Sequence, residues 1–141
     1  MSDLAYERRG SGPPLVLLHG VGHRWQAWAP VMDLLAAHRT VIAVDLPGHG
    51  ESPPLAPGPG ESAVQAMTAA VLEFLDDLGL DRPHLAGNSL GGALALAAAA
   101  RGRAASVTAA SPAGFWSARW QYPWVKAVFL GAQMSGAVML Q

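Results

Sequence analysis

The stretch His84-Leu85-Ala86-Gly87-Asn88-Ser89-Leu90-Gly91-Gly92-Ala93 joins a short apolar run to an alanine-rich segment through a turn crowded with glycine. It reads as a strand over His84 to Ala86, a tight turn, and a helix from Leu90 to Ala100. That helix should stop at Arg101-Gly102, because glycine just past the last helical turn supplies a left-handed C-terminal residue. The small residues from Ala93 to Ala100 suit a central helix lying close against a sheet. Working outward, Ser106 to Ala110, Thr40 to Val44 and Leu15 to Leu18 are further apolar runs. None alternates polar with apolar as a half-exposed strand would, so they read as buried parallel strands. Leu4 to Glu7 is expected to be an outer strand that turns back at Gly10 to Pro14. Trp25, Trp28, Met32 and Leu35 recur three or four apart, as do Val64, Met67, Val71, Leu75 and Leu78, so each set marks one amphipathic helix. The second should end at Gly79. The order β-β-α-β-α-β-α-β predicts an α/β fold, doubly wound, with a mostly parallel sheet and helices on both faces. Pro53 to Gly60 is a surface loop of this single unit.

Composition narrows the function classes. The chain has 141 residues, 51% of them hydrophobic, enough for one domain with a real core. Charged residues make up 13% and the net charge is −1, against about 25% charged in typical soluble domains, so no basic footprint for nucleic acid is present. The absence of cysteine excludes disulfide frameworks, zinc-thiolate sites and thiol nucleophiles. Asp3, Glu7, Arg8 and Arg9 stand where a leader peptide needs an apolar run, and Lys126 and Gln133 interrupt the most apolar part of the C-terminal region. A cytoplasmic protein without a membrane span is expected.

In open α/β sheets ligands bind beyond the carboxyl ends of the strands, which draws attention to His19-Gly20-Val21-Gly22, Asp45 to Ser52, Gly87 to Gly92 and Ser111 to Gly114. Gly87-Asn-Ser-Leu-Gly91 matches G-x-S-x-G, in which a serine sits on a strained strand-to-helix turn. Ser89 is therefore a candidate nucleophile with an expected positive φ, and the Leu90 N–H, at the helix N-terminus, a candidate oxyanion donor. The other reading is a glycine-rich helix start with a capping serine. Val21 is the candidate second oxyanion donor, since Gly20 lets the chain turn its next N–H groups toward the neighbouring strand end. His19 and Asp45 read as local hydrogen-bonding groups rather than chemical ones.

Taken in order, His19-Gly20, Asp45-Leu-Pro-Gly-His-Gly-Glu-Ser52 and Gly87-Asn-Ser-Leu-Gly-Gly92 resemble the α/β-hydrolase superfamily. The pattern is most similar to its serine-nucleophile esterases, lipases and C–C hydrolases. The resemblance covers about Leu4 to Gly114. It implies Ser89 as nucleophile with Leu90 and Val21 as backbone oxyanion donors, a small ester-like or related carbonyl substrate, and no cofactor or metal. Serine at this position argues against the members that use aspartate there.

One departure matters. The superfamily places its acid and histidine after the nucleophile, but His19, His23, His38, His49, His84 and all ten acidic residues precede Ser89. Downstream the charged residues are Arg101, Arg103, Arg119 and Lys126. His84 would stand roughly 15 Å from Ser89 at about 3.3 Å per residue, and His38 is at the same wrong edge. Residues 1–114 are therefore expected to be the N-terminal part of the core domain and 115–141, with Phe115, Trp116, Trp120, Tyr122, Trp124 and Phe129, the start of a lid. A chain truncated before its acid and histidine should be nearly inert alone. The alternative is a non-catalytic fragment or split half that binds a complementing C-terminal segment.

Overall fold

Thr40 to Val44 is buried throughout because both of its faces are covered, and the rest of the architecture follows from that central layer. The computed structural model describes residues 2–114. Along the chain come β1 (Tyr6–Arg9), β2 (Pro14–Leu18), a 3₁₀ turn (Trp25–Trp28), α1 (Ala29–Ala36), β3 (Thr40–Val44), α2 (Ala63–Asp77), β4 (His84–Asn88), α3 (Leu90–Ala100) and β5 (Ser106–Ala110). The sheet order is β1-β3-β2-β4-β5. β1 runs antiparallel to β3, and the other pairings are parallel. This is the expected doubly wound, mostly parallel α/β sheet.

Successive strand residues face opposite layers. Val16, Leu18, Ile42, Val44 and Leu85 pack against Val71, Phe74 and Leu75 of α2 and Leu94, Ala95 and Ala98 of α3. Leu17, Val41 and Ala43 face the other way, onto Met32, Trp25, Trp28 and Leu35. Helices thus lie on both faces. Gly79 and Gly102 adopt φ of 67° and 73° just past α2 and α3. In each case the next two amides return to the last turn, as Leu80 N–H to Leu75 O (2.8 Å) and Arg103 N–H to Ala98 O (3.0 Å) illustrate, which is how such caps satisfy free carbonyls.

Three elements differ from expectation. β5, expected to be buried, is an edge strand among the described residues, exposed and half-buried in alternation. The outer strand is Tyr6–Arg9 rather than Leu4 to Glu7, because the Ala5 N–H donates to Ser52 Oγ (2.9 Å) instead of β3 and Leu4 turns into the core. The helix expected through Trp25 to Leu35 is broken into a 3₁₀ turn and α1. Pro30 has no N–H for a bond to Gln26, and its ring would crowd that carbonyl, so an α-helix cannot run through both; α1 begins with Pro30 in its first turn.

The start of α2 is closed reciprocally. Ser62 Oγ accepts from Gln65 N–H at 3.2 Å, and Gln65 Oε1 accepts from Ser62 N–H at 2.8 Å. Replacing Ser62 by alanine is expected to lower stability by about 1 kcal/mol, seen as a lower urea midpoint at unchanged slope; an unmoved midpoint would show that the box carries no weight. Among the described residues no helix is long and apolar enough to cross a membrane. The expected lid, 115–141, lies outside the described residues.

Candidate active site

After β2 the chain crosses to β3 on one side, and after β4 it crosses to β5 on the other. The crevice beyond the carboxyl ends of β2 and β4 is therefore the topological switch point, where ligands of open α/β sheets bind. Gly20 and Ser89 both lie there.

Ser89 has φ 51° and ψ −114° and precedes α3 at its cap position, yet its side chain makes no capping hydrogen bond. The expected positive φ is present, and a serine in ordinary capping geometry would instead be extended, with its oxygen on a first-turn N–H. The glycines around it are required by contact. A Cβ on Gly87 would overlap the Gly91 carbonyl, and one on Gly91 would overlap the Leu18 carbonyl of β2, so α3 starts directly against the strand. Leu90 is the first residue of α3. Its side chain joins the core, and its N–H is one of the first-turn donors that a helix leaves without an internal acceptor.

On the neighbouring strand end, a Cβ on Gly20 would stand 3.2 Å from Asn88 Oδ1 and 3.4 Å from Ser89 Cβ. The Gly20 backbone thus passes beside the elbow. Val21 follows in a turn closed by His23 N–H to Gly20 O (3.2 Å), with Gly22 supplying a φ of 77°, and its side chain is exposed.

His19 is buried. Its Nδ1 lies 2.7 Å from the Gly20 carbonyl, and its Nε2 accepts from Leu46 N–H at 3.0 Å. These partners assign the tautomer: Nδ1–H donates and Nε2 has no proton. Burial, the first cause, holds the imidazole below the ordinary value of 6.5. Both nitrogens are engaged, as expected of a local structural group. Between the lowered folded value and 6.5 the unfolded chain binds more protons. Stability should therefore be complete above about pH 6.5 and fall as pH drops through that interval. Urea midpoints compared at about pH 7.5 and about pH 5.5 should show this loss. His19→Gln, which does not titrate, should be less stable but flatter; equal slopes in the two proteins would exclude His19 as the source.

Asp45, also buried, accepts from Trp25 N–H (2.6 Å) and Glu51 N–H (3.0 Å). A side chain on Gly50 would overlap its carboxylate. Ser52 Oγ donates to Asp45 O at 2.6 Å, so Asp45 to Ser52 forms a braced loop with the carboxylate as its acceptor. His49 stacks obliquely on His19 with ring centroids 5.1 Å apart, and its Nδ1 lies 3.0 Å from Pro47 O. His84 opens β4, where its Nδ1 is 2.7 Å from Ser106 Oγ, and His38 lies just before β3; both are at the opposite edge from Ser89, as expected. His23 is exposed at the correct edge. Among the described residues no hydrogen bond joins a histidine to Ser89 or His23 to a carboxylate.

A cavity of ≈ 280 Å³ opens at this edge, lined by His19, Gly20, His23, Trp28, Asn88 and Ala110 among others. The contributions of Trp28 and Ala110 were not anticipated from sequence. A larger depression of ≈ 540 Å³ lies by Gly58 to Glu61 and Arg101, at the far end of α3, away from the strand ends that hold the elbow. Among the described residues no group of three or more His, Asp or Glu side chains is placed to hold a metal ion.

A family model described as alpha/beta hydrolase fold matches residues 13–133. The chain is 40% identical over 116 residues to the dihydrolipoyllysine-residue acetyltransferase component of the acetoin cleaving system of Cupriavidus necator, covering 80% of this chain and 30% of that protein. It is 44% identical over 95 residues to the 2-hydroxy-6-oxo-2,4-heptadienoate hydrolase of Pseudomonas putida, covering 65% and 34%. The crystal structure of the enol-lactonase from Burkholderia xenovorans superposes with a TM-score of 0.66 at 33% identity, over 74% of this chain and 41% of that one. The chain spans about a third of the length of these two curated relatives.

Proposed function

The chain belongs to the alpha/beta hydrolase fold family, and from that premise we propose that it carries the nucleophile half of a serine hydrolase acting on ester-like or related carbonyl substrates. Ser89 Oγ attacks the carbonyl carbon while its proton passes to a base. The carbonyl oxygen becomes an oxyanion held by the N–H groups of Leu90 and Val21. Collapse expels the leaving group, which takes up the proton, and water then releases the acid from acyl-Ser89. The chemistry draws on backbone donors and calls for no cofactor or metal. The observation that carries the reading is Ser89's φ of 51° at a helix start where its hydroxyl makes no cap, beside the Gly20 backbone. Two similar proteins, the 2-hydroxy-6-oxo-2,4-heptadienoate hydrolase and the enol-lactonase, are named for an oxo-acid and a lactone, both carbonyl compounds, which supports the carbonyl class and leaves the esterase, lipase or C–C hydrolase type within it.

In this proposal residues 1–114 are the N-terminal part of the core, 115–141 begin the lid, and the acid and histidine come from further sequence. A second reading, a catalytically inert half that complements a C-terminal segment, is favoured by one observation: no histidine or carboxylate follows Ser89. The deciding experiment joins or adds a segment that carries a strand, an acid and a Gly-His pair from a relative. Fluorophosphonate should then label Ser89, located by peptide mass spectrometry, and Ser89→Ala should remove the label. Labelling at another residue, or none in the assembled protein, would sink the nucleophile assignment.

A further inference from the structure

Besides Ser89, one other described non-glycine residue has a positive φ, Ser111 at 44°, and the proposed chemistry does not use it. Its place in the ladder explains it. β4 and β5 pair in register as far as Asn88↔Ala110. One step further, Ser89 faces position 111, and its N–H donates to Ala110 O at 3.0 Å as the parallel pattern requires. The returning bond to the Ser89 carbonyl should then come from the N–H of residue 112. Residue 112 is proline and has none. The bond is made by Ala113 N–H instead, at 2.9 Å, so one extra residue is fitted into the span. That is a bulge, and the left-handed Ser111 is where the chain absorbs the extra length. Pro112 is seated against the first turn of α3: a Cβ on Gly92 would lie 3.1 Å from Pro112 Cβ.

We propose that the bulge Ser111–Ala113 is a positioning device for Ser89, gripping both its amide and its carbonyl from the neighbouring strand so that it stays at positive φ. It rests on the reading of Ser89 as nucleophile. A non-glycine residue keeps such a backbone conformation only where its surroundings over-determine it, and here the bonds to Ala110 O and from Ala113 N–H fix Ser89 on both sides of its Cα. Without the grip, Ser89 relaxes to the extended backbone of an ordinary cap and turns its oxygen onto a first-turn N–H of α3. The hydroxyl is then spent on the helix rather than presented at the crevice. Ser111 and Pro112 are thus positioning residues: they act through Ser89's backbone and need not touch a substrate.

The test is spectroscopic and uses the isotopically labelled 141-residue chain. The Cα and Cβ chemical shifts and the HN–Hα coupling of Ser89 report its φ independently of overall stability. Ser111→Gly should preserve the Ser89 signature, since glycine adopts left-handed geometry freely. Ser111→Val should shift the balance away from the bulged form, because a β-branched residue tolerates positive φ less well than serine does. Pro112→Ala restores the N–H that lets the ladder close without a bulge. Both are expected to move the Ser89 signals toward those of an extended cap residue. Pro112→Ala removes no native hydrogen bond, so it decides the matter if Ser111→Val unfolds. Ser89 signals unmoved in folded Pro112→Ala would overturn the proposal. The nucleophile reading is judged separately by the label on Ser89 in the assembled protein. Ser89 signals that respond as expected in a protein that never labels support the bulge and remove the nucleophile.

Discussion

Gly91→Ala is expected to lose at least about 3 kcal/mol of stability, more than half the margin of a domain at the lower end of the usual range of about 5 to 15 kcal/mol. A methyl group there would overlap the Leu18 carbonyl and stand 2.7 Å from His19 O. Core overpacking typically costs about 1 to 3 kcal/mol when side chains can shift. Here the obstacle is the backbone of β2, bonded into the sheet on both sides by β3 and β4, so α3 must move away instead. Retreat of α3 would also withdraw Leu90 from the core and part Ser89 from Gly20. Gly102→Ala is the matched control. Its φ is 73° but nothing lies within 4 Å of a Cβ there, so only the left-handed penalty of about 1 to 2 kcal/mol applies. Urea denaturation of the two variants separates collision from strain. Equal losses would mean that α3 does not rest on the strand as the contacts require.

The contrast shows which features a single sequence can reveal. Thr40–Val44 is legible because a strand buried on both faces needs no alternation, and α2 because its apolar spacing holds for four turns. Ser106–Ala110 is legible as a strand but not in its burial, since among the described residues it lies at the sheet edge with exposed and half-buried residues in alternation. The strained elbow is legible because glycine at 87 and 91 has a steric meaning. What escapes is set by hydrogen-bond competition across the fold. The Ala5 N–H turns to Ser52 Oγ, 47 residues away, while its carbonyl still accepts from Asp45 N–H, and nothing in the periodicity of Leu4 to Glu7 records that. Other signals are present but need their context. Pro30 divides the first helix, Ser62-x-x-Gln65 spells out a capping box, and Pro112 forces a bulge whose partner is Ser89. The roles of Leu90 and Val21 are legible only as backbone positions, since their N–H groups carry the proposed work and their side chains do not. That is also why Leu90 can be a core residue and Val21 an exposed one within one candidate site.

The 141-residue chain alone is expected to react with fluorophosphonate at least about 10³-fold more slowly than a complete serine hydrolase of this family. In a stripped serine protease, loss of the base costs about 2 × 10⁶ in kcat, while the oxyanion hole and binding retain about 10³ to 10⁴ over water. The described residues offer no substitute of comparable quality. His19 is locked between Gly20 O and Leu46 N–H and burial disfavours its charged form, so it cannot readily accept the Ser89 proton. His49 is tethered to Pro47, and His38 and His84 are at the far edge. His23 alone faces the cavity with an exposed ring, but no carboxylate orients it, and an unoriented imidazole spends most of its time in unproductive directions. Intact-mass spectrometry after timed exposure should therefore find the chain unlabelled while an assembled protein with a Gly-His segment is labelled on Ser89. Rapid stoichiometric labelling of Ser89 in the chain alone would reverse this assignment and make His23 the base. In that case His23→Gln should abolish the label and leave the fold, read by its urea midpoint, unchanged.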